Sequence, residues 1–206
     1  MENAYNKFIC YYESMNNRTL PKLARIISEM FNGFFIMIIT PTLAFAISSV
    51  SITYKIIFPL LYIFVTLAPF LIFMKLGKVS DYEFTKSEER PPYFTAVTVG
   101  YAILFMLTTL LKDTTLTNVT LAVFTASSIL TIVNLYWKMS GHMTYSTLFF
   151  FTLLYLFPYT PYLPLVFIFT PLIAASRVIL KKHTVWQVIV GTLVSTCISI
   201  LILWVL

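Results

Sequence analysis

Arg177 and His183, separated by five residues in Ser176-Arg177-Val178-Ile179-Leu180-Lys181-Lys182-His183, stand where one apolar run stops and the next starts. The only other histidine, His142, opens a further apolar run in Ser140-Gly141-His142. Lys86 and Arg90 lie in a polar stretch that closes on Pro91-Pro92. Side chains of these types hold an oxyanion and move protons. Guanidinium offers a planar fork to phosphate oxygens, and imidazole changes charge near neutral pH. A membrane-buried arginine is expensive without such a task.

The spacings sharpen the chemistry. His183, Gln187 and Gly191 follow i, i+4, i+8 and share one face of a helix. Gln187 is therefore placed to accept a hydrogen bond from one imidazole nitrogen, which fixes the tautomer and leaves the other nitrogen free. Ser140 suits an N-cap, Gly141 lets a ligand approach the backbone, and the helix start that follows attracts phosphate oxygens. Lys86 and Arg90 are four apart and point the same way if their stretch is helical. Each cluster also has a plainer reading. Residues 81–92 read as a solvated loop, Ser140 as a capping serine beside a surface histidine, and Arg177 to His183 as snorkelling cations at a helix end.

The elements that must position these groups are membrane helices. Hydrophobic residues make up 59% of the chain and charged residues 11%, and the mean hydropathy is +0.86. Seven apolar segments follow, at 30–50, 56–75, 93–111, 117–137, 142–158, 162–180 and 186–206. About 20 apolar residues cross a bilayer, and an unhydrated backbone must satisfy itself, so the fold class is an all-α polytopic bundle of six to seven transmembrane helices. Pro158, Pro161 and Pro164 predict a tight hairpin, and Pro41, Pro59, Pro69 and Pro171 predict kinks. Residues 1–29 read as an N-terminal interfacial segment with Leu20, Leu23, Ile26 and Ile27 on one face, ahead of a single domain over 30–206. No cleavable leader is evident.

Charge sets the orientation. Seven crossings put 12 of the 14 lysines and arginines on one side, with only Lys55 and Lys112 on the other. The positive-inside rule then places the N-terminus and all three polar clusters in the cytoplasm. The net charge of +6 suits a membrane-facing surface and needs no nucleic acid. Cys10 and Cys197 fall on opposite sides and are expected not to pair. With two histidines and no acidic cluster inside the membrane, neither a metal nor a cofactor is expected.

Taken together, Ser140-Gly141-His142 and Ser176-Arg177-(five residues)-His183 resemble the second and third signature motifs of the type-2 phosphatidic acid phosphatase superfamily. The loop ending in Arg90-Pro91 is similar to the first motif. The resemblance spans about Asp81 to Gly191 and implies a helical membrane phosphatase that needs no metal. It implies that His183 takes the phosphoryl group and that His142 protonates the leaving oxygen. Lys86, Arg90, Ser140, Gly141, Ser176 and Arg177 would hold the phosphate. Two positions depart from the pattern: Glu83 stands where the family has lysine, so that Lys86 becomes the substitute ahead of Lys78, and Gln187 replaces the orienting aspartate. The expected substrate is a lipid phosphate, foremost an isoprenoid mono- or diphosphate, with phosphatidic acid and phosphatidylglycerophosphate as alternatives. A phosphotransferase using the same site, and a catalytically dead lipid-binding scaffold, are the other classes in play.

Overall fold

The computed structural model describes residues 19–81, 84, 86–161 and 163–206. Among these residues every regular element is a helix. We number them α1 (19–30), α2 (Gly33–Ile47), α3 (Ile52–Lys75), α4 (Arg90–Thr109), α5 (Thr114–Tyr136), α6 (Gly141–Leu156), α7 (Phe169–Ile179) and α8 (Val185–Ile200). A 3-10 turn over Leu163–Ile168 leads into α7, and a π-helical turn over Leu201–Val205 extends α8. Five stretches are long and apolar enough to cross a membrane: Thr19–Ile47, Ile52–Lys75, Arg90–Thr109, Thr114–Tyr136 and Val185–Val205. Val166–Ile179 is shorter, and α6 has 16 residues, about 24 Å at 1.5 Å per residue.

The caps explain where the helices start. Asn32, Asp113, Ser140 and Thr184 each accept a backbone N–H of the first turn, so α2, α5, α6 and α8 begin within three residues of the apolar runs. The termination of α3 follows the Schellman pattern: Lys78 N–H donates to Phe73 O and Gly77 N–H to Met74 O, with Gly77 at φ +68°. Only glycine takes that backbone without steric cost.

The polarity of burial sets the layout. α5 and α6 are the inner helices, with Leu116, Val119, Val123, Ala126 and Leu130 of the first and Met143, Leu148 and Phe150 of the second fully packed. α6 is flanked by α2, α5, α7 and α8. α3 lies outermost, burying only Phe58, Tyr62 and Thr66 and presenting Ile56, Leu60, Phe64 and Leu71 outward. That is the residue pattern of a helix facing lipid. Pro41 lies inside α2 and Pro59 and Pro69 inside α3, and both helices run on through them. Interhelical hydrogen bonds accompany the packing, among them Thr66 with Tyr101 at 2.7 Å, Thr98 with Thr131 at 2.8 Å and Ser127 with Tyr145 at 3.0 Å.

Of the interfacial segment expected over residues 1–29, only 19–29 lie among the described residues. Ala24 and Ser28 are buried against the bundle, whereas Leu20, Leu23, Ile26 and Met30 face outward. Cys197 is exposed and free; Cys10 and Glu83 lie outside the described residues.

Candidate active site at one end of the bundle

Because the helices alternate in direction, α2, α4, α6 and α8 all start at the end where α3, α5 and α7 finish. Four positive helix ends therefore face one region, a favourable setting for an anion. A partly open cavity lies there, with about 50 Å³ of room for water-sized groups. Arg90, Gly141, His142, Arg177 and His183 all line it. Residues more than ninety positions apart have been gathered by the fold.

The third sequence cluster owes its spacing to two caps back to back. α7 ends in a second Schellman turn, with Lys182 N–H donating to Arg177 O at 3.0 Å and Lys181 N–H to Val178 O at 2.9 Å. His183 N–H also donates to Arg177 O, at 3.3 Å. The next residue, Thr184, is the N-cap of α8, in a capping box with Gln187. The five residues between Arg177 and His183 are thus the length of one C-cap, and the arginine and histidine emerge on the same side of it.

Gln187 serves two partners through one oxygen. Its Oε1 accepts the Thr184 N–H at 3.1 Å, closing the capping box, and lies 3.2 Å from His183 Nδ1. A carboxamide oxygen has two lone pairs and only accepts, so Nδ1 carries the proton and Nε2 keeps its lone pair. Burial pushes the His183 imidazole down to about 2, with the charges of Arg177, Lys138 and Arg90 acting the same way. Burial and the surrounding cations therefore disfavour the protonated ring.

His142 is the second residue of α6 and is buried. Its Nε2 lies 3.3 Å from Arg177 Nη1, and the same Nη1 donates to the Ser28 hydroxyl of α1. Arg177, 2% exposed, is the largest fully buried side chain of the described residues. Arg90, the first residue of α4, is held by its Nε donating to Phe84 O at 2.8 Å. Phe84 takes φ +50°, rare for a bulky residue, and its ring stacks on Tyr93 at 4.3 Å. The strained backbone aims a carbonyl at Arg90 while stacking offsets the cost.

Close helix approach completes the site. A Cβ on Gly33 of α2 would meet the Gly141 carbonyl carbon and oxygen at 3.0 Å, and one on Gly191 of α8 would meet Ser140 O at 2.9 Å. The start of α6 is clamped between two glycines, which brings α2 and α8 to the cavity wall.

Other expected positions fall elsewhere. Lys86 does not line the cavity. A 3-10 turn occupies Ser87–Glu89 and α4 starts only at Arg90, so the four-residue spacing does not align Lys86 with Arg90. Lys86 instead points outward and pairs with Glu89 at 3.5 Å, whose carboxyl the Ser80 amide and hydroxyl hold below the usual range. Lys78 is exposed. Ser140 is consumed as the α6 cap, its Oγ accepting from Met143 N–H at 3.4 Å, and Ser176 donates to Ile173 O at 2.7 Å. Neither hydroxyl lines the cavity. Lys138, whose charge reaches His183, and Asn32, Phe84 and Asn134 were missed. An asparagine directly before an apolar run is a capping signal and would have found Asn32; the others have no local signature.

No family model, curated protein or solved structure matches this chain. Its function rests on the site alone.

Among the described residues, no three histidine, cysteine, aspartate or glutamate side chains gather to hold a metal ion. A wider hollow at the other end of the helices is lined by Asp113 and the turn after α6; there Asp113 accepts the Leu116 N–H as the α5 cap and no histidine or arginine is present.

Proposed function

We propose that this chain is an integral-membrane lipid phosphate phosphatase of the type-2 phosphatidic acid phosphatase kind. It acts through a phosphohistidine, foremost on an isoprenoid mono- or diphosphate. One observation carries the reading: an imidazole, His183, with its tautomer fixed by Gln187, shares a cavity with two buried arginines and a second histidine. Phosphoryl transfer requires an in-line nucleophile and positive charge around the equatorial oxygens. Nε2 of His183 supplies the first. Arg90, Arg177 and the α6 amides supply the second without a metal.

In the proposed reaction Nε2 of His183 forms a bond to phosphorus as the bond from phosphorus to the lipid oxygen breaks. His142 gives that oxygen its proton. Water then attacks phosphorus, returns a proton to His142, and phosphate leaves as the nitrogen–phosphorus bond breaks. Arg177 Nη1, which can only donate, faces His142 Nε2 at 3.3 Å. A phosphate that draws Arg177 toward itself frees Nε2 to take up the proton of a monoanionic phosphate ester, and that proton is the one His142 passes to the leaving oxygen.

The lipid reading is supported by the setting: the cavity opens at the end of apolar helices and its wall holds Phe34, Met37, Tyr93 and Phe94. Seven crossings, with the cavity on the cytoplasmic side, are part of the proposal. The test is phosphate release in detergent micelles with EDTA, offering farnesyl diphosphate, undecaprenyl phosphate and phosphatidic acid. Turnover should fall by at least about 10³-fold in His183→Ala, since the nucleophile is gone. Turnover that survives in His183→Ala, or none from folded wild type on any of the three, overturns the reading.

A further inference from the structure

We infer that Asn32, the N-cap of α2, is a phosphate-binding residue of this site, its carboxamide NH2 donating to a phosphate oxygen alongside Arg90 and Arg177. The inference rests on the phosphatase reading above and adds a fourth helix to the phosphate's cradle.

Asn32 is 1% exposed and lines the cavity. Its Oδ1 accepts the Phe34 N–H at 2.9 Å. Because an amide N–H requires an acceptor, that bond fixes which end of the carboxamide is oxygen and leaves Nδ2 on the other side. Nδ2 is buried and has no hydrogen-bond partner. An orphaned buried donor costs about 1–3 kcal/mol, and such a group in a native protein points to a missing acceptor. Any acceptor oxygen would satisfy Nδ2, and the cationic walls of the cavity it lines, Arg90, Arg177 and the start of α6, favour one carried by an anion. The missing acceptor is therefore an anionic ligand.

The placement of α2 supports this. Gly33 lets the first turn of α2 lie against the Gly141 carbonyl and the His142 amide nitrogen, at 3.0 and 3.1 Å from where its Cβ would be. Asn32 is thereby held beside the α6 start, and the positive end of a 15-residue helix faces the same space. Asparagine rather than the equally good cap aspartate is what an anion site needs, since a carboxylate would repel phosphate.

The test compares wild type with Asn32→Asp and Asn32→Ser, both of which retain a capping oxygen, and with Arg177→Gln. Binding of inorganic phosphate and of short-chain dioctanoyl phosphatidic acid to the purified full chain in detergent is measured by calorimetry, together with melting temperature. Asn32→Asp should weaken both ligands by a similar factor, roughly tenfold or more, for a lost charge-assisted hydrogen bond plus repulsion. Asn32→Ser should weaken both by a smaller factor, with melting near wild type in either variant. Should Asn32→Asp fail to fold, Asn32→Ser alone decides. Unchanged phosphate affinity in the folded Asn32 variants, with Arg177→Gln impaired, overturns the inference while the phosphatase reading stands. Loss confined to the lipid ligand also overturns it, because the contact would then be to the glycerol or chain. Wild type that binds neither ligand overturns both.

Discussion

At the scale of single residues the site turns on how one imidazole is held. Burial among cations disfavours the charged His183 ring, and the ring is aimed because its Nδ1–H donates to the Gln187 carboxamide oxygen. Its folded-state value of about 2 lies below the 6.5 of a free imidazole, so the fold favours the neutral ring. That contribution to stability is fully present above about pH 6.5 and is lost progressively as the pH falls from there toward about 2. We expect the His183 ring signals, assigned by their loss in His183→Gln, not to titrate between about pH 5 and 8 in the empty protein. They should begin to do so when phosphate fills the cavity. A midpoint near 6.5 without ligand would refute this electrostatic picture. Gln187→Glu should keep the capping box and place a carboxylate against Nδ1, raising the midpoint into reach. Gln187 was legible from its spacing. Its second duty toward Thr184 was not, because the i, i+4 pattern does not reveal that α8 starts between the two residues. Lys86 shows the opposite failure: its spacing to Arg90 looked meaningful, but the helix begins one turn too late to use it.

At the scale of elements, the caps and glycine contacts do the positioning. Lys181 occupies the left-handed C′ position of the turn between α7 and α8 at φ +55°. A non-glycine residue there costs about 1–2 kcal/mol, so Lys181→Gly should stabilise the fold by about 1 kcal/mol or less, net of glycine's added freedom when unfolded, and leave phosphate affinity unchanged. Gly191→Ala should do the reverse. Its Cβ would press on Ser140 O at 2.9 Å, a backbone atom that cannot swing away. We expect a loss of about 1–3 kcal/mol, or several degrees in melting temperature, with phosphate affinity reduced because α8 carries His183 away from α6. Thermal melts and phosphate calorimetry on both variants check the pair; an unaffected Gly191→Ala would mean that α6 and α8 are not rigidly spaced. Each of the seven apolar runs read from the sequence overlaps a helix, but only five stretches are long and apolar enough to cross a membrane, and the sixth run opens as a 3-10 turn with α7 starting only at Phe169.

At the scale of the whole molecule, alternation of helix direction is what collects the polar groups at one end. The apolar bulk of α3 and the outward faces of α4 and α8 mark a body made for lipid. If the basic residues orient it as proposed, a cysteine placed at exposed Lys78, in a chain with Cys10 and Cys197 replaced by serine, should react with an impermeant maleimide only after cells are opened. Labelling in intact cells would put the cavity on the outer face. The sequence by itself determined the helical membrane class, the apolar segments and the short-range part of the site, since periodicity, caps and the spacing of Arg177 to His183 are local. Which cations reach His183 was decided by tertiary structure alone. Lys138 acts on His183 and Lys86 does not, Ser28 meets Arg177 across 149 positions, and Asn32 joins the cavity because Gly33 and Gly191 let α2 and α8 close on the start of α6. Helix-to-helix distance depends on side chains facing each other across the bundle, and one-dimensional spacing carries no record of which faces meet.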